Sequence, residues 1–216
     1  MSTIIERYNK IKSFIDNNNY KANIVAISKT FDLPQIKPLI EFGHLHFGEN
    51  KVQEAEKKWK NILKENINIK LHMVGKLQTN KANKAVEIFH YVHSLDNQKL
   101  AKTLNKAEIN SKKKLKYFIQ VNVGEENQKS GLNPRHVNDF YQFCQKETNL
   151  NIIGLMIIPP NDGQVEKHFK YLNNLNSILN LKDLSMGMSG DYKVALNLNA
   201  SFLRIGSAIF GERVKK

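Results

Sequence analysis

The chain has 216 residues and carries 33 Lys and Arg against 20 Asp and Glu, a net charge of +13, with 41% hydrophobic and 25% charged residues. That balance belongs to a globular chain and excludes disordered and fibrous classes. No apolar run approaches the roughly 20 residues that span a bilayer, and the lone Cys144 excludes a disulfide framework.

A leading helix is expected over residues 3–16. The β-branched run Ile24, Val25, Ala26, Ile27 makes 23–27 a buried strand. A helix follows over 34–43, with Pro34 in its first turn, Ile36, Leu39 and Ile40 at helical spacing, and Gly43 just past its end. Residues 44–47 predict a second strand, and 50–63 a helix striped by Val52, Ala55, Trp59 and Leu63. Strands at 68–74 and 90–95 flank a helix at 80–89. A helix at 98–109, with Leu100 and Leu104 on one face, precedes the most strand-like segment, 115–123. Then come a helix at 134–147, a strand at 151–158 closed by Pro159 and Pro160, and a helix at 165–179. A short strand at 183–187, a helix at 192–198 and a strand at 202–205 complete the series.

Eight strands alternating with helices imply βαβ crossovers and a parallel sheet. Eight such units in about 200 residues fit an α/β fold of the TIM (β/α)8 barrel type, with an open doubly wound sheet as the alternative. No Pro-, Gly- or Ser-rich linker interrupts the series, so residues 1–216 are expected to form a single domain.

The basic charge invites a nucleic-acid reading. Only four of the 33 basic residues are Arg, however, and the 29 Lys are scattered along the chain. Nucleic-acid readers cluster their cations and favour Arg for bidentate contacts. The densest run, Lys112, Lys113, Lys114 and Lys116, falls between a helix and a strand and reads as solvated surface. Residues 1–23 contain no apolar stretch of the secretory type, and the lone cysteine suits a reducing compartment, so a cytoplasmic protein is expected, without nucleic-acid or membrane partners.

In a parallel barrel the chemistry collects at the C-terminal ends of the strands. Those ends read Ser28-Lys29-Thr30, Gly48-Glu49-Asn50, Gly75-Lys76-Leu77-Gln78, then Ser94, Asn122 and Met156, then Met188-Ser189 and Arg204-Ile205-Gly206-Ser207. Lys29 follows an apolar strand without an intervening turn, which puts it at the barrel mouth. Partial desolvation there favours the neutral amine, which attacks aldehydes to form a Schiff base. The competing reading is a strand-end Lys in solvent. After the seventh and eighth strands, where barrels commonly hold phosphate, Ser189 and Ser207 offer hydroxyls and Gly206 a bare backbone. Lysine and phosphate cradle in one mouth suit a phosphorylated aldehyde, and pyridoxal 5'-phosphate is the obvious one. The seven histidines show no metal-ligand spacing; His44 and His46 read as strand residues, and Cys144 and Trp59 as core.

These residues carry a resemblance. Ala26-Ile-Ser-Lys-Thr30, Phe47-Gly-Glu-Asn-Lys-Val-Gln-Glu54, His72-Met-Val-Gly-Lys-Leu-Gln-Thr-Asn-Lys81, Gln120-Val-Asn-Val123, Lys129-Ser-Gly-Leu132, Gly154-Leu-Met156, Ser185-Met-Gly-Met-Ser189 and Arg204-Ile-Gly-Ser-Ala-Ile-Phe-Gly211 stand in this order. The chain resembles the pyridoxal phosphate homeostasis proteins (the YggS/PLPBP family) over nearly its whole length. The resemblance implies a single barrel like the alanine racemase N-terminal domain, with Lys29 as the Schiff-base lysine. Ser189, Gly206 and Ser207 would hold the phosphate, Arg204 would face the pyridine nitrogen, and Asn50 would lie near the ring hydroxyl. His72 and Met156 are expected to line the same site. An Arg at that nitrogen keeps the ring unprotonated and a poor electron sink, so the family is expected to carry the cofactor with little or no turnover. Cofactor-dependent apo-enzymes are the expected partners and a monomer the expected state; a slow amino-acid racemase is the alternative. Racemases add a second domain whose tyrosine comes from the partner subunit. The chain ends at Lys216 without one, so two-base racemisation is not expected. Departures from the family pattern are Ser207 for Thr, Gly190 after the phosphate serine, and Asn199 where Gly is common, a residue that tolerates a left-handed backbone.

Overall fold

In the structure, a computed structural model that describes residues 3–65, 68–124 and 130–212, the apolar runs and the amphipathic runs take separate layers. The strands are β1 (Asn23–Ile27), β2 (His46–Glu49), β3 (Lys70–Met73), β4 (Tyr91–Leu95), β5 (Lys116–Val121), β6 (Asn151–Ile157), β7 (Asp183–Ser185) and β8 (Phe202–Ile205). They pair in chain order, all parallel, and β8 returns to β1, closing an eight-stranded barrel. The helices around it are α1 (Thr3–Asn17), α2 (Leu33–Glu41), α3 (Val52–Glu65), α4 (Ala82–Ile88), α5 (Gln98–Ser111), α6 (Val137–Glu147), α7 (Val165–Ile178), α8 (Tyr192–Asn197) and α9 (Ser207–Phe210).

Successive strand side chains point to opposite faces, and here they sort into two cores. Outward residues such as Ala26, Phe47, Leu71, Tyr117 and Leu203 join the buried faces of the helices, Trp59 and Cys144 among them, in one large apolar layer. Inward residues form a smaller cluster of Val25, Ile27, Val74, Tyr91, Phe118, Met156 and Phe202. A closed barrel with helices alternating along its outside is the TIM architecture expected from the element pattern; the open sheet is excluded by the β1–β8 ladder from Asn23↔Phe202 to Ala26↔Ile205.

The second strand differs from the expected 44–47. Gly43, at φ +92°, ends the turn after α2, and the His44 N–H donates back to the Leu39 carbonyl at 3.1 Å. Pairing therefore starts at His46 and runs through Gly48↔His72 and Glu49↔Met73. Glu49 therefore lies behind the wall, on the helix side, instead of at the mouth. The seventh strand likewise ends at Ser185, two residues early, and α9 was not foreseen. Asn199 has φ +65°, the backbone that Asn accepts in place of Gly. The lysine run is largely occupied by the fold itself: Lys112 ends α5 at φ +56°, Lys113 donates to the Glu87 carbonyl, and Lys114 donates to the Asn149 carbonyl.

Gly154 on β6 leaves no room for a side chain against β7. A Cβ there would lie 1.8 Å from the Asp183 carbonyl oxygen of β7, so β6 and β7 cannot close around a larger residue. Gly154→Ala should lower stability by about 3 kcal/mol, read as a lower guanidinium midpoint. Gly190→Ala, whose Cβ would meet nothing within 4 Å, should leave that midpoint in place.

Candidate functional site

The C-terminal ends of the strands surround a cavity of about 590 Å³. It is lined by Lys29 after β1, Asn50 after β2, Gly75 and Lys76 after β3, Gln120 and Asn122 on and after β5, and Ile158 after β6. Met188, Ser189 and Gly190 after β7, and Arg204, Gly206 and Ser207 on and after β8, complete the rim. Lys29, Asn50, Ser189, Arg204, Gly206 and Ser207 are thus brought into one cavity from four strands, as the order of the chain implies. Among the described residues, three of the lining side chains are cations, Lys29, Lys76 and Arg204, and none is a carboxylate.

His72 and Met156 are not in this lining, which corrects the expectation. Both point into the barrel and are fully buried, but one layer too deep. Inward positions recur every second residue, so the wall of the cavity falls to Val74 and Ile158, two residues further along. The Lys129 of the matched Lys-Ser-Gly-Leu stretch lies outside the described residues; its neighbour Ser130 lines the cavity, and its carbonyl accepts from Gln120 Nε2 at 3.1 Å. Gln120 was missed in the sequence, although an amide at an inward position of an otherwise apolar strand was its signal.

Two arrangements hold the rim in place, one buried behind the wall and one across the mouth. Behind the wall, Glu49 is fully buried, and its Oε1 accepts from Ser28 Oγ at 2.7 Å, Lys58 Nζ at 2.9 Å and Trp59 Nε1 at 2.9 Å. Lys58 Nζ also donates to the Ser28 carbonyl at 2.8 Å. These bonds tie the last residues of β1 and β2, and hence Lys29 and Asn50, to α3. Asn50 is fixed from its other side by Gly75, where a Cβ would come within 2.4 Å of the Asn50 carbonyl oxygen. Across the mouth, Ser189 Oγ accepts from the Ala208 N–H at 3.1 Å, which aligns the rim after β7 with the first turn of α9 and leaves the serine proton to donate elsewhere. A Cβ at Gly206 would meet Ile27 only at ordinary contact distance, 3.5 Å, so the space beside it is the cavity.

Inside the barrel, Arg204 is buried, its Nη1 donating to Ser185 Oγ at 2.7 Å and its Nη2 to the Ile157 carbonyl at 2.6 Å. Burial lowers its pKa to about 10, against the attraction of Asp191, so it is still a cation at neutral pH. Ser185 Oγ also meets His93 Nδ1 at 2.7 Å, His93 Nε2 meets His72 Nδ1 at 2.9 Å, and His72 Nε2 meets His46 Nδ1 at 2.9 Å. Burial pushes the His72 and His93 pKa values well below the ordinary imidazole value. Burial, then Lys70 and Lys116, brings His46 to about 4. Cys144, on α6, has its thiol pushed up to about 12 by burial, which suits packing and not nucleophilic chemistry.

A family model described as the alanine racemase N-terminal domain matches residues 1–214. A protein of Aquifex aeolicus named pyridoxal phosphate homeostasis protein is 32% identical over 99% of this chain and 96% of its own. One of the same name from Vibrio alginolyticus is 34% identical over 99% of each. Among solved structures, PipY of Synechococcus elongatus with pyridoxal phosphate bound is 30% identical with a TM-score of 0.88, over 96% of this chain and all of its own. An alanine racemase of Clostridium difficile, at 12% identity and a TM-score of 0.78 over 58% of its own chain, shares the fold. The chain belongs to the alanine racemase N-terminal-domain family and, within it, to the pyridoxal phosphate homeostasis proteins.

The histidines also set an acid limit. Burial lowers His44, His46 and His90 from 6.5 to about 4 in the fold. Between those values the unfolded chain binds more protons than the folded one, so stability rises with pH there and is lost as pH falls. The urea midpoint should drop between pH 6.5 and 5, before most carboxylates titrate. A midpoint constant over that range would contradict the neutral histidines.

Proposed function

We propose that this chain binds pyridoxal 5'-phosphate in the cavity at the C-terminal ends of its strands, holds it through Lys29, and serves cofactor homeostasis with little or no turnover. The observation that carries this reading is the lining itself: a lysine, an arginine and two serines converge on a space that, among the described residues, has three cations and no carboxylate. That donor set fits an anionic phosphate ester with a reactive carbonyl. The names of the relatives and the cofactor in PipY point the same way.

Bound there, pyridoxal phosphate supplies an aldehyde and an electron-withdrawing ring. Lys29 contributes the amine that captures the aldehyde from a rigid strand end. Ser189, with its oxygen already accepting from Ala208, would have its proton free to donate to the phosphate, and Ser207 and the backbone at Gly206 would add donors beside it. Arg204 would face the ring nitrogen as a donor and deny it a proton, which would weaken carbanion chemistry, and Asn50 would stand on the hydroxyl side. This is a soluble carrier of the cytoplasm, acting as a monomer that hands its cofactor to apo-enzymes.

Two measurements test the reading. Purified protein with added pyridoxal phosphate should turn yellow, and borohydride should fix one phosphopyridoxyl group on Lys29, seen by peptide mass. Lys29→Ala should lose both band and adduct; a wild type that stays colourless overturns the proposal. In deuterated water with L-alanine, α-proton exchange should stay far below ordinary enzyme rates of roughly 1–10³ s⁻¹, and exchange within that range would favour a racemase.

A further inference from the structure

The barrel interior contains a polar line that the cofactor reading leaves unused. From Arg204 at the cavity floor, bonds of 2.7, 2.7, 2.9 and 2.9 Å run through Ser185, His93 and His72 to His46. Ser185, His93 and His72 are completely buried, and His46, the first residue of β2, opens toward the N-terminal face of the barrel. The rings are clamped: His72 stacks on Tyr91 at 4.2 Å and 10°, and His93 on Phe118 at 4.5 Å. Among the described residues, no carboxylate stands within ion-pair distance of Arg204; Asp191 attracts it only from further away.

One order of protons gives every group in this line both a donor and an acceptor, and it starts at Arg204. A guanidinium only donates, so Ser185 Oγ accepts from it. The serine proton then has His93 Nδ1 as its partner, which puts the His93 proton on Nε2. That proton goes to His72 Nδ1, and the His72 proton, on Nε2, goes to His46 Nδ1. That order makes all three imidazoles neutral Nε2–H tautomers, with the positive end of every dipole directed away from the guanidinium. Lys70 and Lys116 beside His46, and His90 nearby, oppose a further charge at the lower end.

We propose that Ser185, His93, His72 and His46 are positioning residues for Arg204: one directed hydrogen-bond chain that stands in for the missing carboxylate, holding the buried guanidinium as a donor at the floor of the ligand cavity. Its effect on ligand affinity rests on the pyridoxal phosphate reading above; the chain itself does not. Oriented, polarisable dipoles lower the cost of burying a charge, and breaking one link leaves a buried donor or acceptor unmade.

The test uses the full chain labelled with ¹⁵N-histidine, without cofactor, at pH 7.5. NMR should show Nε2–H tautomers for His46, His72 and His93. In Ser185→Ala the imidazole signals of His93 should shift, and the change should pass to His72 and His46, which Ser185 does not touch. A proton on His72 Nδ1 in the wild type, or a change confined to His93, overturns the chain. In pyridoxal phosphate titrations, His72→Leu should raise the Kd about tenfold, the loss expected for one unmade buried bond. His72→Gln, whose amide accepts at one end and donates at the other, should restore most of that loss. Should the leucine variant fail to fold, His93→Gln set against Ser185→Ala makes the same contrast. Wild-type affinity in every variant overturns the positioning role. A wild type that binds no cofactor overturns the ligand reading alone, because the NMR result still decides the chain.

Discussion

Closure of the sheet between β8 and β1 is the constraint on which the rest depends. Its register pairs Val25 with Arg204 and Ala26 with Ile205, residues nearly 180 positions apart in the chain. Since both strands alternate inward and outward with the same period, that single register sets Arg204 beneath the cavity and brings Lys29 and Gly206 to its rim together. A slip of one residue would turn Arg204 out into the helix layer, where a cation has no partner, and Leu203 into the cavity. Eight strands enclose an interior just wide enough for side chains to fill. The cavity therefore exists only where the strands end and the filling stops.

The polar groups that a barrel must bury are arranged on the two faces of the wall by opposite means. Outside it, Glu49 is a charge neutralised by a charge, with Lys58 as partner and Ser28 and Trp59 as further donors. Breaking one member of such a set leaves an uncompensated ion, so these residues hold the ends of β1 and β2 firmly. Inside the wall, the groups that bond Arg204 among the described residues are neutral: a carbonyl, a hydroxyl and, behind that, three imidazoles, with Asp191 acting only from a distance. A carboxylate beside the guanidinium would cancel the cavity's positive character. Neutral dipoles leave it intact, and this is the condition an anionic ligand requires.

The surface charge has a different character from the charge of the cavity. Several lysines are spent on the fold, on the carbonyls of Glu87 and Asn149 and in exposed pairs such as Lys51 with Glu54 and Lys37 with Glu41. Exposed pairs of this kind contribute little to stability. The cations that matter chemically are few and are held by rigid strand ends. Placement separates them from the rest, because a lysine on a mobile surface stem and a lysine at a strand end titrate and react in different dielectrics.

Much of this was legible in the chain. Apolar runs alternating with amphipathic ones specify strands and helices in turn, and parallel pairing follows because consecutive strands are joined by helices. The strand ends carry the site because loops tolerate polar and glycine residues where the strand bodies cannot, so Lys29, Ser189, Gly206 and Ser207 could be named from position, and Asn50 and Arg204 through the family resemblance. Depth could not. His72 and Met156 stand in the right motifs, yet their places depend on where each strand begins to pair, a property of its neighbours; a shift of two residues moves a side chain from the cavity wall to the layer beneath. The same holds for His46, His72 and His93, which lie on three different strands and show no spacing that marks a common purpose. Composition and periodicity are local and fix what each segment becomes. Only the closed register, which sums the pairings of all eight strands, decides which inward residues meet.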